Sequence, residues 1–297
     1  MKHVYLAPSR RLGISLGVSP IPFKTCSYSC VYCQLGRTTC KTVKRREFFS
    51  TKEILKEVEV ALKRLSARPD HITFVGEGEP TLASNIGQLI EKIKEMTDIS
   101  IAVITNGSLL FNEDVSSELM DADIVIPSLD AASEEVFRRI NRPHPSLKID
   151  RVIEGIEDFS RQFDGQLYVE VMLVKGYNDG SEVEKIGEVL KRIKPDGVYL
   201  MSPIRPPCEK VEPSERIEEV SKLFKAFNVI TPESGEFHPE IYSSAEEALK
   251  SVLARHPLRE EQVLEILNYF KAEKTILDSI TERVSFAGST YYRLRST

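Results

Sequence analysis

No stretch of the 297-residue chain approaches the roughly 18 consecutive apolar residues that a membrane-spanning helix needs, so no such helix is expected. The opening Met1-Lys2-His3-Val4-Tyr5-Leu6-Ala7-Pro8 lacks the apolar segment of a secretory signal. Cysteine is scarce and odd in number, at five, which argues against a disulfide framework. Free thiols in a chain without export signals lead to the expectation of a reducing, cytoplasmic location. Net charge is a modest −5, with a pI near 5.7, which gives no general attraction to nucleic acid. There is no internal repeat of fixed period and no low-complexity tract. What is present, 41% hydrophobic and 29% charged residues, suffices for a sizeable core in one large domain or two unequal ones.

Three of the five cysteines fall within eight residues, Cys26-Ser27-Tyr28-Ser29-Cys30-Val31-Tyr32-Cys33. Three thiolates so spaced converge on one side of a loop and suit soft iron or zinc. An electron-transfer [4Fe–4S] cluster takes four cysteines, so three would leave one iron open to an outside ligand. A structural zinc site needs a fourth ligand, and Cys40 is near enough in sequence to supply it.

Ser9–Val18 reads as a strand that delivers this loop, with Pro20 and Pro22 punctuating its end. Arg10 and Arg11 fit either an anion near the loop or ordinary surface. Ser50 and Glu53 form a capping-box pattern ahead of Ile54, Val58, Ala61, Leu62 and Leu65 at helical spacing. Apolar runs at Ile72–Val75, Ile99–Thr105, Ile124–Leu129, Leu167–Val174 and Val198–Met201 follow, each succeeded by a helical pattern. Continuous apolar strands alternating with helices predict an α/β fold with a parallel sheet buried on both faces. About six βα units are counted, against the eight of a complete barrel, and the alternation stops near residue 230. An incomplete (β/α)6 TIM-type barrel over residues 1–232 is the expectation. The turn-rich Thr231-Pro232-Glu233-Ser234-Gly235 marks the boundary to a unit over 233–297. There, Val263, Ile266, Leu267 and Phe270 predict one helix, Ile276, Leu277, Ile280 and Val284 a second, and Ser285–Leu294 a hairpin turning at Ala287-Gly288-Ser289. Two helices and a hairpin resemble a winged-helix unit, which plugs a barrel or binds a partner.

Ligands of parallel α/β folds gather at the carboxyl ends of the strands. The second strand ends in Gly76-Glu77-Gly78-Glu79-Pro80-Thr81, the third in Thr105-Asn106-Gly107 and the fourth in Ser128-Leu129-Asp130. Glycine suits a backbone that must approach a ligand closely. Ser128 and Asp130 share one side of their strand by alternation, and Asp130 otherwise serves as a helix cap.

The three-cysteine loop followed by the glycine–glutamate turn resembles the radical S-adenosylmethionine (SAM) superfamily, whose core fold is the same partial barrel. That resemblance implies one [4Fe–4S] cluster on Cys26, Cys30 and Cys33 whose open iron chelates SAM. It implies cleavage of SAM to methionine and a 5′-deoxyadenosyl radical that abstracts a substrate hydrogen, with an external one-electron reductant of the flavodoxin or ferredoxin type. Tyr32 then stands where the superfamily places an aromatic near the adenine. Glu77, Gly78 and Glu79 stand in the turn that binds the SAM amino group, with Glu77 departing from the usual glycine. Asn106, Ser128 and Asp130 fall at the strand ends around SAM, the last two suiting its ribose hydroxyls.

Pro8-Ser9-Arg10-Arg11-Leu12-Gly13, Cys30-Val31-Tyr32-Cys33-Gln34-Leu35-Gly36 and Asn141-Arg142-Pro143-His144-Pro145 narrow the resemblance to the wyosine-synthase-like Fe–S oxidoreductases. Wyosine synthase itself carries three further cysteines upstream for a second cluster. This chain has none before Cys26, and only Cys40 and Cys208 elsewhere. Substrate contacts are sought at Arg142, His144, Lys175 and Arg205. Arg142 suits a bidentate grip on carboxylate or phosphate, Lys175 a Schiff base if desolvated, and His144 a proton relay. A small-molecule or protein substrate is favoured over tRNA. The tRNA reading draws on the basic Lys41 with Lys44-Arg45-Arg46 and on the winged-helix-like tail. A zinc-bound regulator that reads nucleic acid is the non-enzymatic alternative.

Overall fold

The computed structural model describes residues 1–9, 11–207, 209–225, 227–229, 238–255 and 257–295. Strands β1 (Val4–Ser9) and β2 (Gly13–Val18) form an antiparallel hairpin where the sequence predicts a single strand. Two-residue strands β3 (Thr25–Cys26) and β4 (Cys40–Lys41) bracket the cysteine loop. Strands and helices then alternate: α1 (Thr51–Arg64), β5 (His71–Phe74), α2 (Ile86–Met96), β6 (Ser100–Thr105), α3 (Glu113–Leu119), β7 (Ile124–Pro127), α4 (Glu134–Ile140), α5 (Ile149–Gln162), β8 (Gln166–Met172), α6 (Glu182–Ile193), β9 (Gly197–Met201), α7 (Ile217–Phe224) and β10 (Phe227–Val229). After the expected boundary, which lies outside the described residues, come α8 (Ala245–Leu253), β11 (Leu258–Arg259), α9 (Glu260–Phe270), α10 (Thr275–Ile280), β12 (Thr281–Phe286) and β13 (Ser289–Leu294).

The main sheet runs β1-β2-β5-β6-β7-β8-β9-β10, parallel from β2 onward. The six expected parallel strands are there, joined by antiparallel β1 and by β10. Three strands lie between β2 and β8, so in a flat sheet they would stand about 19 Å apart at the usual strand spacing. Arg11, in the β1–β2 turn, nevertheless pairs with Glu170 of β8. The sheet therefore curls into a partial barrel, and the hairpin turn reaches into its interior.

Local chemistry explains the elements. Ser50 caps α1 by accepting from the Glu53 amide, and α1 buries Ile54, Val58 and Ala61 against the sheet. The Glu53 carboxylate does not close the capping box but turns to His3 and Lys2. Ile124–Pro127 of β7 is buried on both faces, as a central parallel strand requires.

In the C-terminal unit the second helix stops at Ile280, and Val284 belongs to β12 rather than to a helix. The alternating Thr281–Phe286 pairs instead with β13, across a turn whose Ala287 and Gly288 both have positive φ, at 47° and 78°. Helix α8 and strand β11 complete an α-β-α-α-β-β order of winged-helix type. This unit shares the barrel's core: Ile241, Leu249, Val252, Val263 and Leu277 join one apolar cluster with Leu6, Ile54 and Phe74. Met1's ammonium pairs with Glu247, and the Tyr242 hydroxyl accepts from the Leu6 amide at 3.4 Å. Leu249→Ala, at a fully buried site of α8, is expected to lower the stability of the whole chain by about 2–5 kcal/mol. Urea denaturation followed by circular dichroism should show one shifted transition; a second transition, with the first unmoved, would show that the unit unfolds alone.

Candidate functional site

The cysteine loop lies against the segments that follow β5, β6 and α4, pinned by backbone bonds after β5 and α4 and by side-chain bonds after β6. On the β5 side, Lys24 donates to the Glu77 carbonyl at 2.7 Å and Glu79 to the Thr25 carbonyl at 3.1 Å. A Cβ on Gly78 would lie 1.8 Å from that Thr25 oxygen, so this close approach admits glycine alone. On the other side, Ser29 and Val31 donate to the Asn141 and Ile140 carbonyls, both at 2.9 Å, and His144 to the Ser27 carbonyl at 2.7 Å. Tyr28 packs edge-on to Phe137 of α4, with centroids 5.3 Å apart.

Two buried carboxylates brace this arrangement. Glu79 is 1% exposed and accepts four bonds, from the Thr81 amide (3.0 Å), the Thr81 and Thr105 hydroxyls (2.6 Å each) and the Asn106 amide (2.7 Å). Burial raises its carboxyl above the ordinary range although those bonds oppose the shift. Asp130, 3% exposed, accepts from the Tyr32 hydroxyl, from Asn141 Nδ2 at 2.7 Å and from the Met172 amide at 2.9 Å. Burial is again the leading cause that pushes its carboxyl up to about 6. Asp130 thus ties the loop through Tyr32 and Asn141 and caps no helix. Those three bonds make it part of the loop's support. Ser128 is half-buried beside it, its hydroxyl 3.4 Å from the Thr105 carbonyl.

Side-chain amides reach the sulfurs. Asn106 Nδ2 donates to Ser27 Oγ at 2.8 Å and approaches Cys26 Sγ at 3.5 Å, and Asn141 Nδ2 lies 3.5 Å from Cys30 Sγ. Desolvation pushes the Cys26 thiol up to about 12 and raises those of Cys30 and Cys33, with Lys24 opposing the shift at Cys33. Three thiols with N–H donors aimed at sulfur are the donor set of iron–sulfur ligation. Cys40 is exposed and pairs in register with Thr25, while Cys26 pairs with Lys41. Alternation turns Cys40 to the face opposite Cys26, away from the position a fourth zinc ligand would need. Among the described residues, no three His, Cys, Asp or Glu side chains close on a single point as a lone ion requires.

Beside the loop is a cavity of about 270 Å³, whose lining includes Tyr32, Cys33, Gln34, Gly76, Arg205 and Arg255. Of the expected substrate groups, Arg205 lines it. Arg142 pairs instead with Glu209 at 2.8 Å, and the His144 ring bonds Ser146 Oγ at 2.8 Å. The Asn141–Pro145 segment serves as the loop's clamp. Lys175 is exposed and bonded to Glu215 at 2.6 Å, which raises its ammonium further, so the desolvation that a Schiff-base amine needs is not met. In the basic run, Arg45 pairs with Glu118 and donates to the Thr81 and Ala83 carbonyls, and Arg46 lies over Phe48. Cys208 and Arg10 lie outside the described residues.

The profile of the Radical SAM superfamily matches residues 21–190, more than half of the chain. The chain belongs to the radical SAM superfamily. The UPF0026 protein of Methanocaldococcus jannaschii is 38% identical, over 96% of this chain and 93% of its own. The GTP 3′,8-cyclase of Thermodesulfovibrio yellowstonii is 33% identical over 57% of this chain and 50% of its own. Among solved structures, a radical SAM methyltransferase from Sphaerobacter thermophilus shares the fold at a TM-score of 0.53 and 20% identity, over 71% of this chain and 63% of that one. The protein is a radical SAM enzyme, and its superfamily in general uses a [4Fe–4S] cluster, SAM and an outside reductant. Among the described residues, no helix of this radical SAM enzyme is long and apolar enough to cross a membrane.

Sequence reasoning missed Asn141 as a partner of the cysteine loop and Arg255 as a lining residue of the cavity. The Asn141-Arg142-Pro143-His144-Pro145 wording was the available signal for Asn141; for Arg255 there was none. The raised Asp130 carboxyl makes a pH-dependent prediction for the apoprotein. Stability linked to its protonated form is complete below pH 3.8 and lost as pH rises through about 6. The stability advantage of wild type over Asp130→Asn should therefore shrink by roughly 2–3 kcal/mol between pH 4 and pH 7. A difference that stays constant across urea titrations at the two pH values would refute the shift.

Proposed function

We propose that this enzyme holds one [4Fe–4S] cluster on Cys26, Cys30 and Cys33 and binds SAM in the cavity mouth beneath it. The observation that carries this reading is the placement of all three thiols on one doubly clamped loop, with amide donors at two of the sulfurs. A [4Fe–4S] cluster held by Cys26, Cys30 and Cys33 would pass one electron from an outside donor to SAM, and the chemistry it would supply is reductive cleavage to methionine and a 5′-deoxyadenosyl radical able to take a hydrogen atom from the substrate. The chain's own part is positional. Asn106 and Asn141 direct N–H groups at sulfur, which favours the electron-rich thiolate form and sets the potential. The Gly76–Glu79 turn and Tyr32 frame the SAM position, and Val75, Ile104, Met172 and Met201 give the cavity an apolar side for the reacting carbon.

The substrate is a small molecule or a protein side chain in preference to tRNA. Arg45 is spent on Glu118 and backbone carbonyls, and the cavity takes a small ligand or a single side chain. The relative named GTP 3′,8-cyclase acts, by its name, on a small molecule.

Anaerobic reconstitution is expected to give about four irons per chain, and SAM with dithionite should then yield 5′-deoxyadenosine. Cys33→Ala should lose the cluster and the cleavage together, whereas Cys40→Ala should keep both. Tight zinc with no SAM cleavage, or loss of the metal in Cys40→Ala, would overturn the assignment.

A further inference from the structure

Strand β1 lies outside the parallel frame of the barrel, yet its Tyr5 lines the cavity. Tyr5 stands in register with Gly17 of β2, where a Cβ would lie 2.4 Å from two ring carbons and 2.9 Å from the hydroxyl. A Cβ on Gly76, whose φ is 124°, would lie 3.3 Å from the same hydroxyl. Glycine at both positions lets the ring cross β2 and carry its hydroxyl to the turn after β5. Gly17 and Gly76 line the cavity as well, so the hydroxyl opens into it.

Tyr5 is 7% exposed, and its hydroxyl has no hydrogen-bond partner among the described residues. A buried phenol ordinarily finds one, because an unmet polar group away from water is costly. The Arg255 guanidinium lies 4.5 Å over the ring, which draws electron density from the oxygen and strengthens the O–H as a donor. Burial nevertheless pushes the phenol up to about 12, against the pull of Arg255 and Arg11. The group is therefore a neutral O–H donor, and a place that disfavours phenolate disfavours a second oxyanion beside it. Ser15, two residues before Gly17, and Thr73 of β5 continue this side of the cavity, their hydroxyls bonded to each other at 2.5 Å. Arg11 and Glu170 are paired with each other, and Ile104, Met172 and Met201, from β6, β8 and β9, are apolar. The cavity thus has a hydroxyl side on β1, β2 and β5 and an apolar side on β6, β8 and β9.

We propose that the Tyr5 hydroxyl donates to an uncharged oxygen, carbonyl or hydroxyl, of a small substrate whose apolar edge faces Ile104, Met172 and Met201. The Ser15–Thr73 pair uses one of its two hydroxyl hydrogens internally and leaves the other along the same edge. Tyr5 is then a specificity residue: a substrate analogue without that oxygen would leave the buried O–H unmet, and the site selects against it. The inference rests on the reading of SAM chemistry at the cysteine loop, which brings the reacting carbon to this cavity, and it adds the polarity of the substrate.

The test is saturation-transfer NMR on the reconstituted enzyme, with saturating SAM and no reductant. The probes are acetamide and 2-pyrrolidinone for a carbonyl, glycerol and erythritol for a hydroxyl, and acetate as the charged isostere of acetamide. Saturable binding of at least one neutral probe is expected, more tightly than acetate, and the tighter class assigns carbonyl or hydroxyl. Tyr5→Phe keeps the ring that packs on Gly17, so it should retain the wild-type circular dichroism and SAM affinity. It should weaken the neutral probe about fivefold, the effect of losing one uncharged hydrogen bond. The proposal is overturned if no neutral probe saturates, if acetate binds more tightly than every neutral probe, or if Tyr5→Phe binds the probe as wild type does. It is overturned equally if Tyr5→Phe weakens SAM by the same factor, which would assign the hydroxyl to SAM. Failure of wild type to yield 5′-deoxyadenosine is a separate result that strikes the SAM reading alone, since the titration needs no turnover.

Discussion

Glu79 places a carboxylate where water does not reach and meets it with four hydrogen bonds drawn from two neighbouring strand ends. A buried acid costs several kcal/mol unless its lone pairs are filled, so the four donors and the acid fix one another. That mutual constraint shapes the turn after β5, and with it the Thr25–Gly78 approach on which the cysteine loop rests. It also orients Asn106, whose amide faces Ser27 and Cys26. Asp130 repeats the device two strands along for Tyr32 and Asn141. A loop of three cysteines would otherwise be free to sample many conformations, and these two acids remove that freedom before any metal arrives.

The same logic explains why the C-terminal unit is not an appendage. Its helices bury apolar side chains into the barrel's own cluster, and its Arg255 sits on Tyr5 of the first strand. The Tyr291 hydroxyl bonds the Ile204 carbonyl on the loop after β9, so the unit touches both the first strand and the loop after β9. In this chain the unit of winged-helix-type order packs into the barrel's own core.

Much of this was legible in the sequence. The β-branched apolar runs fixed the central strands because a parallel strand buried on both faces has no polar position to spare. The cysteine spacing and the Gly76–Thr81 turn carried the superfamily, since both are local backbone devices in which residue type and spacing state the chemistry. The partners of Arg142, His144 and Lys175 are not legible in the same way, because nearness to a strand end along the chain does not tell which way a long side chain turns. Two of them found carboxylates, the third a serine hydroxyl.

The sequence by itself determined the sheet, the loop that would carry thiolates and the class of chemistry, because each depends on periods and spacings of a few residues. Tertiary structure alone decided that Cys40 faces away from Cys26, that Asp130 braces Tyr32, and that Arg11, Arg205 and Arg255 converge on one cavity. Those outcomes join residues from about ten to nearly 250 positions apart. Only the curl of the sheet and the docking of the last sixty residues bring the far-separated ones within reach, and no local pattern encodes a distance of that kind.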